Sequence, residues 1–167
     1  MTAFRDNPWD LFPEHRHLGT EESGNEIVVD TSSGDAGPVF GLWHDPPAIV
    51  VLARNEQELR ALVPGLGSGD DTITLPEAIH DRMSAALAWS KSNAMTIEAA
   101  RAKLGASYSD WLSGLPPDAA IHDLRAAAPG TGFEWADRTT FTRHPASAVF
   151  ASVTPPAKPG FFKRLFG

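Results

Sequence analysis

The chain has 167 residues, of which 42% are apolar and 21% charged, with a formal net charge of −7 and no cysteine. A chain of this length can bury roughly 70% of its unfolded surface, so it folds without a covalent or metal staple. The missing cysteine excludes disulfides, thiol catalysis and thiolate zinc sites and fits a reducing, cytoplasmic setting, while the acidic balance disfavours a nucleic-acid partner.

Residues 1–24 read as irregular structure: Pro8, Pro13, Gly19 and Gly24 interrupt any period, with Trp9, Leu11, Phe12 and Leu18 as apolar anchors. Met1–Asp6 has no basic stretch leading into an apolar one, which reads as no signal peptide. Asn25–Thr31 is the first strand, β-branched and bounded by a Ser-Gly turn and the loop 32–37. Pro38–His44 is the second strand. Asp45-Pro46-Pro47 makes a tight connection to a third, Ala48–Ala53, which has the length of a buried strand. Short loops between neighbours predict an antiparallel meander.

The period then changes. Asn55 followed by Glu58 has the form of a capping box, and Leu59, Leu62 and Val63 give a helical stripe that ends at Pro64-Gly65. Gly67–Asp71 reads as a connector, and 65–72 as an internal boundary within a single domain spanning 1–154. Thr74 and Glu77 form a second capping box before a helix running to about Ser92. Thr96–Leu104, closed by Gly105, and Tyr108–Leu112 are further helices, Pro116-Pro117 ending the latter. Ala119–Leu124, Phe133–Ala136 and Ala148–Val153 read as short strands. Strands, then helices, then strands predict an α+β fold with an antiparallel sheet packed by helices.

Most candidate chemistry fails on inspection. His15-x-His17 is a two-imidazole spacing that needs a third ligand, such as His44-Asp45, to hold zinc; six histidines make such pairs common by chance, and the reading is surface histidines. Asp30, Ser32 and Ser33 lie near one another, and His44 is a neighbour if it falls opposite across the strands. No Gly-x-Ser-x-Gly turn presents a serine nucleophile. Gly65-x-Gly67-x-Gly69 lacks the P-loop lysine and carries Asp70-Asp71, which repels phosphate. We assign no catalytic residue, no metal ligand and no cofactor. The five tryptophans could line a ligand groove, anchor a protein interface or pack in the core, and Trp43 and Trp89 are read as core.

Charge and the C-terminus point towards binding. Residues 1–66 carry a net −7, residues 67–154 a net −3 and the segment from Pro155 on a net +3. An acidic body steers basic protein partners, with Glu14, Glu21, Glu22 and Asp35 as the expected surface. Residues 155–167 read as a proline-rich spacer followed by an amphipathic, basic and aromatic tail, Phe161, Phe162, Lys163, Arg164, Leu165 and Phe166. At helical spacing Phe162, Leu165 and Phe166 share a face. Three covers are open for it: the chain's own domain, a partner's groove, or weak contact with an anionic membrane. We expect a docking element, detachable without loss of stability.

From Trp9 to Val63 the pattern resembles the SUKH superfamily, the fold of the Smi/Knr cell-wall-assembly regulators. The resemblance rests on Trp9-Asp10-Leu11-Phe12-Pro13, Gly19, Gly24-Asn25 leading to Asp30, Gly37-Pro38-Val39-Phe40 and Trp43-His44-Asp45, followed by the helix 55–63. Residues 121–153 look like the C-terminal extension of some members. The resemblance implies a bacterial protein-binding module, most often an immunity protein that neutralises a toxin by direct contact. The alternatives are a regulatory scaffold linked to cell-envelope or secretion functions and, more remotely, a small hydrolase. An acidic body suits a basic toxin.

Overall fold

The computed structural model describes residues 5, 8–32, 34, 36–44, 47–64, 66, 72–77, 79–81, 94–134 and 138–156. Nine strands and three α-helices are defined among them, with helical residues also at 77 and 79–81, and the fold is α+β with antiparallel pairing predominant. The first sheet contains β1 (His15–Glu21), β2 (Glu26–Asp30), β3 (Val39–His44), β4 (Pro47–Ala53), β5 (Thr72–Ile73) and β7 (Gly132–Glu134), in the order β5-β1-β2-β3-β4-β7. The second contains β6 (Ala120–Asp123), β8 (Thr140–Arg143) and β9 (Val149–Val153), in the order β6-β9-β8. The helices are α1 (Glu56–Leu62), α2 (Ile97–Leu104) and α3 (Ser109–Ser113).

The expected meander is present: β2, β3 and β4 are consecutive antiparallel neighbours, with Val28 opposite Phe40 and Phe40 opposite Val51. These strands are apolar on both faces because both faces are covered. On one face Ile27, Val29, Trp43, Val50 and Leu52 pack against Leu59 and Val63 of the α1 segment, together with Leu75 and Ile79. On the other, Val28, Phe40, Ile49 and Val51 pack against Phe141 and Phe150 of the second sheet. The far face of that sheet, through Ile121, Val149 and Ala151, meets Ala100, Leu104 and Leu112 of α2 and α3. The layers therefore run helix, sheet, sheet, helices. Alternation of side chains along each strand sends successive residues to different cores, and this is why the strands read as unbroken apolar runs.

The caps behave as local chemistry dictates. Asn55 accepts from the Glu58 amide at 2.9 Å, while the Glu58 carboxylate takes the Arg54 amide at 2.6 Å, one residue before the usual capping-box position. Thr96 caps α2 by accepting from Ala99, and Gly105 ends it at φ 91°, a left-handed conformation that suits glycine. Trp43 is in the core as read, and Trp9 and Trp111 are half-buried against it; Trp89 and Trp135 lie outside the described residues.

One expectation is corrected, and three strand placements go beyond the sequence reading. Within residues 1–24, expected to be irregular, Pro8–Leu11 form a 3-10 turn and His15–Glu21 form β1, paired antiparallel to β2 with a bulge between His17 and Gly19. Thr72–Ile73 pair parallel to β1, and the Thr74 hydroxyl donates to Glu22 at 2.6 Å. The strand at Phe133 belongs to the first sheet, beside β4. Thr140–Arg143, not foreseen as a strand, is β8. The connector 67–71 and most of the helix expected up to Ser92 lie outside the described residues.

Gly37 shows how tightly the β2–β3 connection is drawn. A Cβ there would lie 1.8 Å from the carbonyl oxygen of Asp30. Gly37→Ala is expected to cost about 2 kcal/mol, because backbone and not a movable side chain must give way. A urea melt checks this; a midpoint equal to wild type would show that the loop relaxes freely.

Candidate functional site

The strongest polar constellation lies where the two sheets meet the 3-10 turn. Asp30 ends β2 and Arg143 ends β8, 113 residues apart, and their side chains form an ion pair with exposures of only 3% and 6%. The Arg143 guanidinium also donates to the Ser32 hydroxyl at 2.9 Å, to the Leu11 carbonyl at 3.2 Å and to the Ser147 carbonyl at 2.9 Å. The Ser32 hydroxyl donates in turn to Asp30 at 2.7 Å. The guanidinium lies 5.2 Å from the Phe12 ring centroid and 5.5 Å from that of Phe150. One planar cation thus ties together the 3-10 turn, β2, β8 and the turn before β9, using the fixed fork that lysine lacks.

Above this brace is a cleft of about 170 Å³, with Leu11, Pro13 and Pro145 as apolar walls and Arg5, Asp10, Arg143 and His144 as its ionisable groups. His144 stacks at a tilt on Tyr108, with ring centroids 4.5 Å apart, and meets Trp111 edge-on. Its Nδ1 accepts from the Ala146 amide and faces the Ser147 hydroxyl. Burial, followed by the nearby Arg143 and Arg125 charges, lowers its pKa, so the ring is neutral at physiological pH.

The residues singled out from sequence fall in different places. Asp30 and Ser32 do come together, but His44 does not join them. His44 ends β3 opposite Pro47, whereas Asp30 bonds to Pro38; six residues of strand, about 20 Å, separate the two ends. The His44 amide instead donates to Asn25 Oδ1 at 3.1 Å. His15 bonds through Nδ1 to the Phe12 carbonyl, and His17 pairs with Glu26. Asp45 and Ser33 lie outside the described residues.

The expected acidic surface divides. Glu21 is buried at 4% exposure, where its Oε1 accepts from the Ser23 amide at 2.8 Å and the Asn25 amide group at 2.6 Å; it shapes the β1–β2 hairpin and does not face a partner. Glu14 and Glu22 are exposed, but at opposite ends of β1, roughly 25 Å apart. Asp35 and the tail residues Phe161, Phe162, Lys163, Arg164, Leu165 and Phe166 lie outside the described residues. Other acids of the first 66 residues are matched by cations: Glu56 by Arg16 and Arg60, and Glu58 by Arg54. The Arg16 guanidinium holds the Glu56 carboxyl below its ordinary range. Among the described residues, the net −7 of residues 1–66 therefore does not become one negative patch. Exposed Asp10 lines the cleft, and exposed Glu14 follows Pro13, which lines it too.

Arg143, the centre of the site, was not singled out from sequence. Its only local signal is the run Thr139-Thr140-Phe141-Thr142, whose β-branched and aromatic side chains favour a strand. No helix among the described residues is long and apolar enough to cross a membrane. No protein-family model, no curated protein and no solved structure matches the chain.

Proposed function

We propose that this chain is a cytoplasmic protein-binding module that neutralises a basic toxin by direct contact, and that it does so without catalysis. The observation carrying this reading is exposed Asp10 on the lining of a cleft whose floor is pinned by the Arg143–Asp30 brace, with exposed Glu14 next in the chain to the lining residue Pro13. A rigid floor limits the ordering cost of association, and rim acids accelerate the encounter with a cationic partner. The resemblance of residues 9–63 to the SUKH superfamily, rich in immunity proteins, supports the same reading.

The test is co-expression with candidate basic toxins, followed by binding measurements. Wild type should restore growth and bind directly, with affinity falling as salt rises, since exposed charges are screened over about 8 Å at physiological ionic strength. Charge reversal by Asp10→Lys with Glu14→Lys should slow association about tenfold at low salt while leaving the melting temperature near wild type. Affinity indifferent to both salt and charge reversal would remove the rim from the mechanism.

A further inference from the structure

A second cleft, of about 450 Å³, lies between the start of α2 and the end of α3. Ile97, Leu112, Leu115 and Pro117 give it an apolar lining, with Glu98 and Arg101 also along it. Asp118, next to Pro117, is exposed. Where the described chain ends bears directly on this cleft. In the second sheet Ser152 of β9 pairs with Ala120 of β6 in antiparallel register. Beyond that pair the two chains leave the ladder at the same end, Pro117 three residues before Ala120 and Pro155 three residues after Ser152. Eleven residues follow Pro156. A proline-rich stretch reaches about 3 Å per residue, so Pro155 to Gly160 can span nearly 20 Å. That is enough to carry the aromatic residues beyond it to the cleft.

We propose that this cleft seats the chain's own C-terminal segment. Phe162, Leu165 and Phe166, which fall on one face at spacings of three and four, meet Ile97, Leu112, Leu115 and Pro117. Lys163 and Arg164 meet Glu98 and Asp118. The apolar pattern is complementary, and the segment from Pro155, which carries +3 and no acid, meets Glu98 on the lining and Asp118 beside it, against one cation, Arg101. Tethering makes modest contacts sufficient. A short linker gives a local concentration in the millimolar range, so a segment with a dissociation constant of about 0.1 mM in isolation would be seated about nine-tenths of the time. The segment is then held in reserve, and a partner's groove or a membrane obtains it only by competing with the cleft. This inference does not rest on the toxin-binding reading.

The absence of cysteine allows a direct test on the full chain. A spin label on Gly167→Cys should erase the amide signals around Ile97, Arg101 and Leu115 and spare those of β1. Adding Phe162→Ala and Phe166→Ala to the labelled chain should restore the erased signals; these changes lie outside the described fold and spare its core. Loss of signal centred on another surface would overturn the proposal. So would loss at the cleft that persists in the double variant. If the cleft signals remain intact and the label responds only to vesicles containing phosphatidylserine, the segment is a membrane contact and the cleft is not its seat.

Discussion

Replacing Arg143 with alanine is expected to destabilise the fold by about 3–5 kcal/mol, the cost of breaking a buried ion pair from one side. The loss exceeds that of a surface bridge because Asp30, 3% exposed, would be left as an uncompensated charge between the two sheets. The carbonyls of Leu11 and Ser147 would lose a donor, and Phe12 and Phe150 would lose the cation lying over their rings. For a protein of this size the fall in melting temperature should be about 10 °C. Arg143→Lys keeps the charge but not the planar fork and should fall between wild type and alanine. The double change Asp30→Leu with Arg143→Met should recover much of the loss, because it strands no charge. Urea unfolding of the four proteins checks the series. A cost for Arg143→Ala below about 1 kcal/mol, the range of exposed pairs, would mean that the brace does not hold the two sheets together.

Acid should weaken the fold through His122. This residue lies on β6 with its ring stacked on Phe133 of the first sheet, 4.1 Å between centroids and 9° between planes, and its Nε2 is 2.9 Å from the Ser152 hydroxyl. Burial lowers its pKa to about 4 from the ordinary 6.5. The native state therefore holds a neutral ring, while the unfolded chain takes up a proton below about pH 6.5. Between these values the unfolded state binds more protons, so stability must fall as pH falls. The contribution is complete above about pH 6.5 and is lost on approach to pH 4. The interval corresponds to on the order of 3 kcal/mol. His144, also lowered by burial, acts in the same direction. His122→Phe keeps a ring against Phe133 but cannot titrate. Its unfolding free energy, measured at several pH values, should decline less steeply than wild type between pH 6.5 and 4. Equal slopes would show that His122 does not carry the acid response.

Several elements are written locally. In Asn25–Ala53, β-branched and aromatic residues between turn signals define three strands whose short connections leave antiparallel pairing as the simple solution, and the structure has it. Asn55 and Glu58 start α1, while Thr96 and Gly105 bound α2, through bonds spanning at most four residues. The strand β1 is different. His15-Arg16-His17 has no apolar alternation to announce it, and its strand geometry comes from the partner strand β2 and from the bonds that Arg16 and His17 make to Glu56 and Glu26. Among the described residues only Thr20 and Glu21 pair on its other side, with β5, and polar, charged side chains along the rest of that edge discourage pairing with other chains.

The site was legible only in part. Asp30 and Ser32 are legible as neighbours because they are two residues apart, whereas Arg143 is 113 residues from Asp30 and no local pattern connects them. Glu21 reads as a surface acid and is buried, because the β1–β2 turn brings Ser23 and Asn25 donors to its carboxylate. The sequence by itself determined what depends on neighbours along the chain: the strand period, the helix caps, the turns and the total charge. Only the tertiary structure decided which charges meet. A charge costs much free energy when buried alone and little when paired, so the placement of each acid follows from cations that the fold brings from far along the chain.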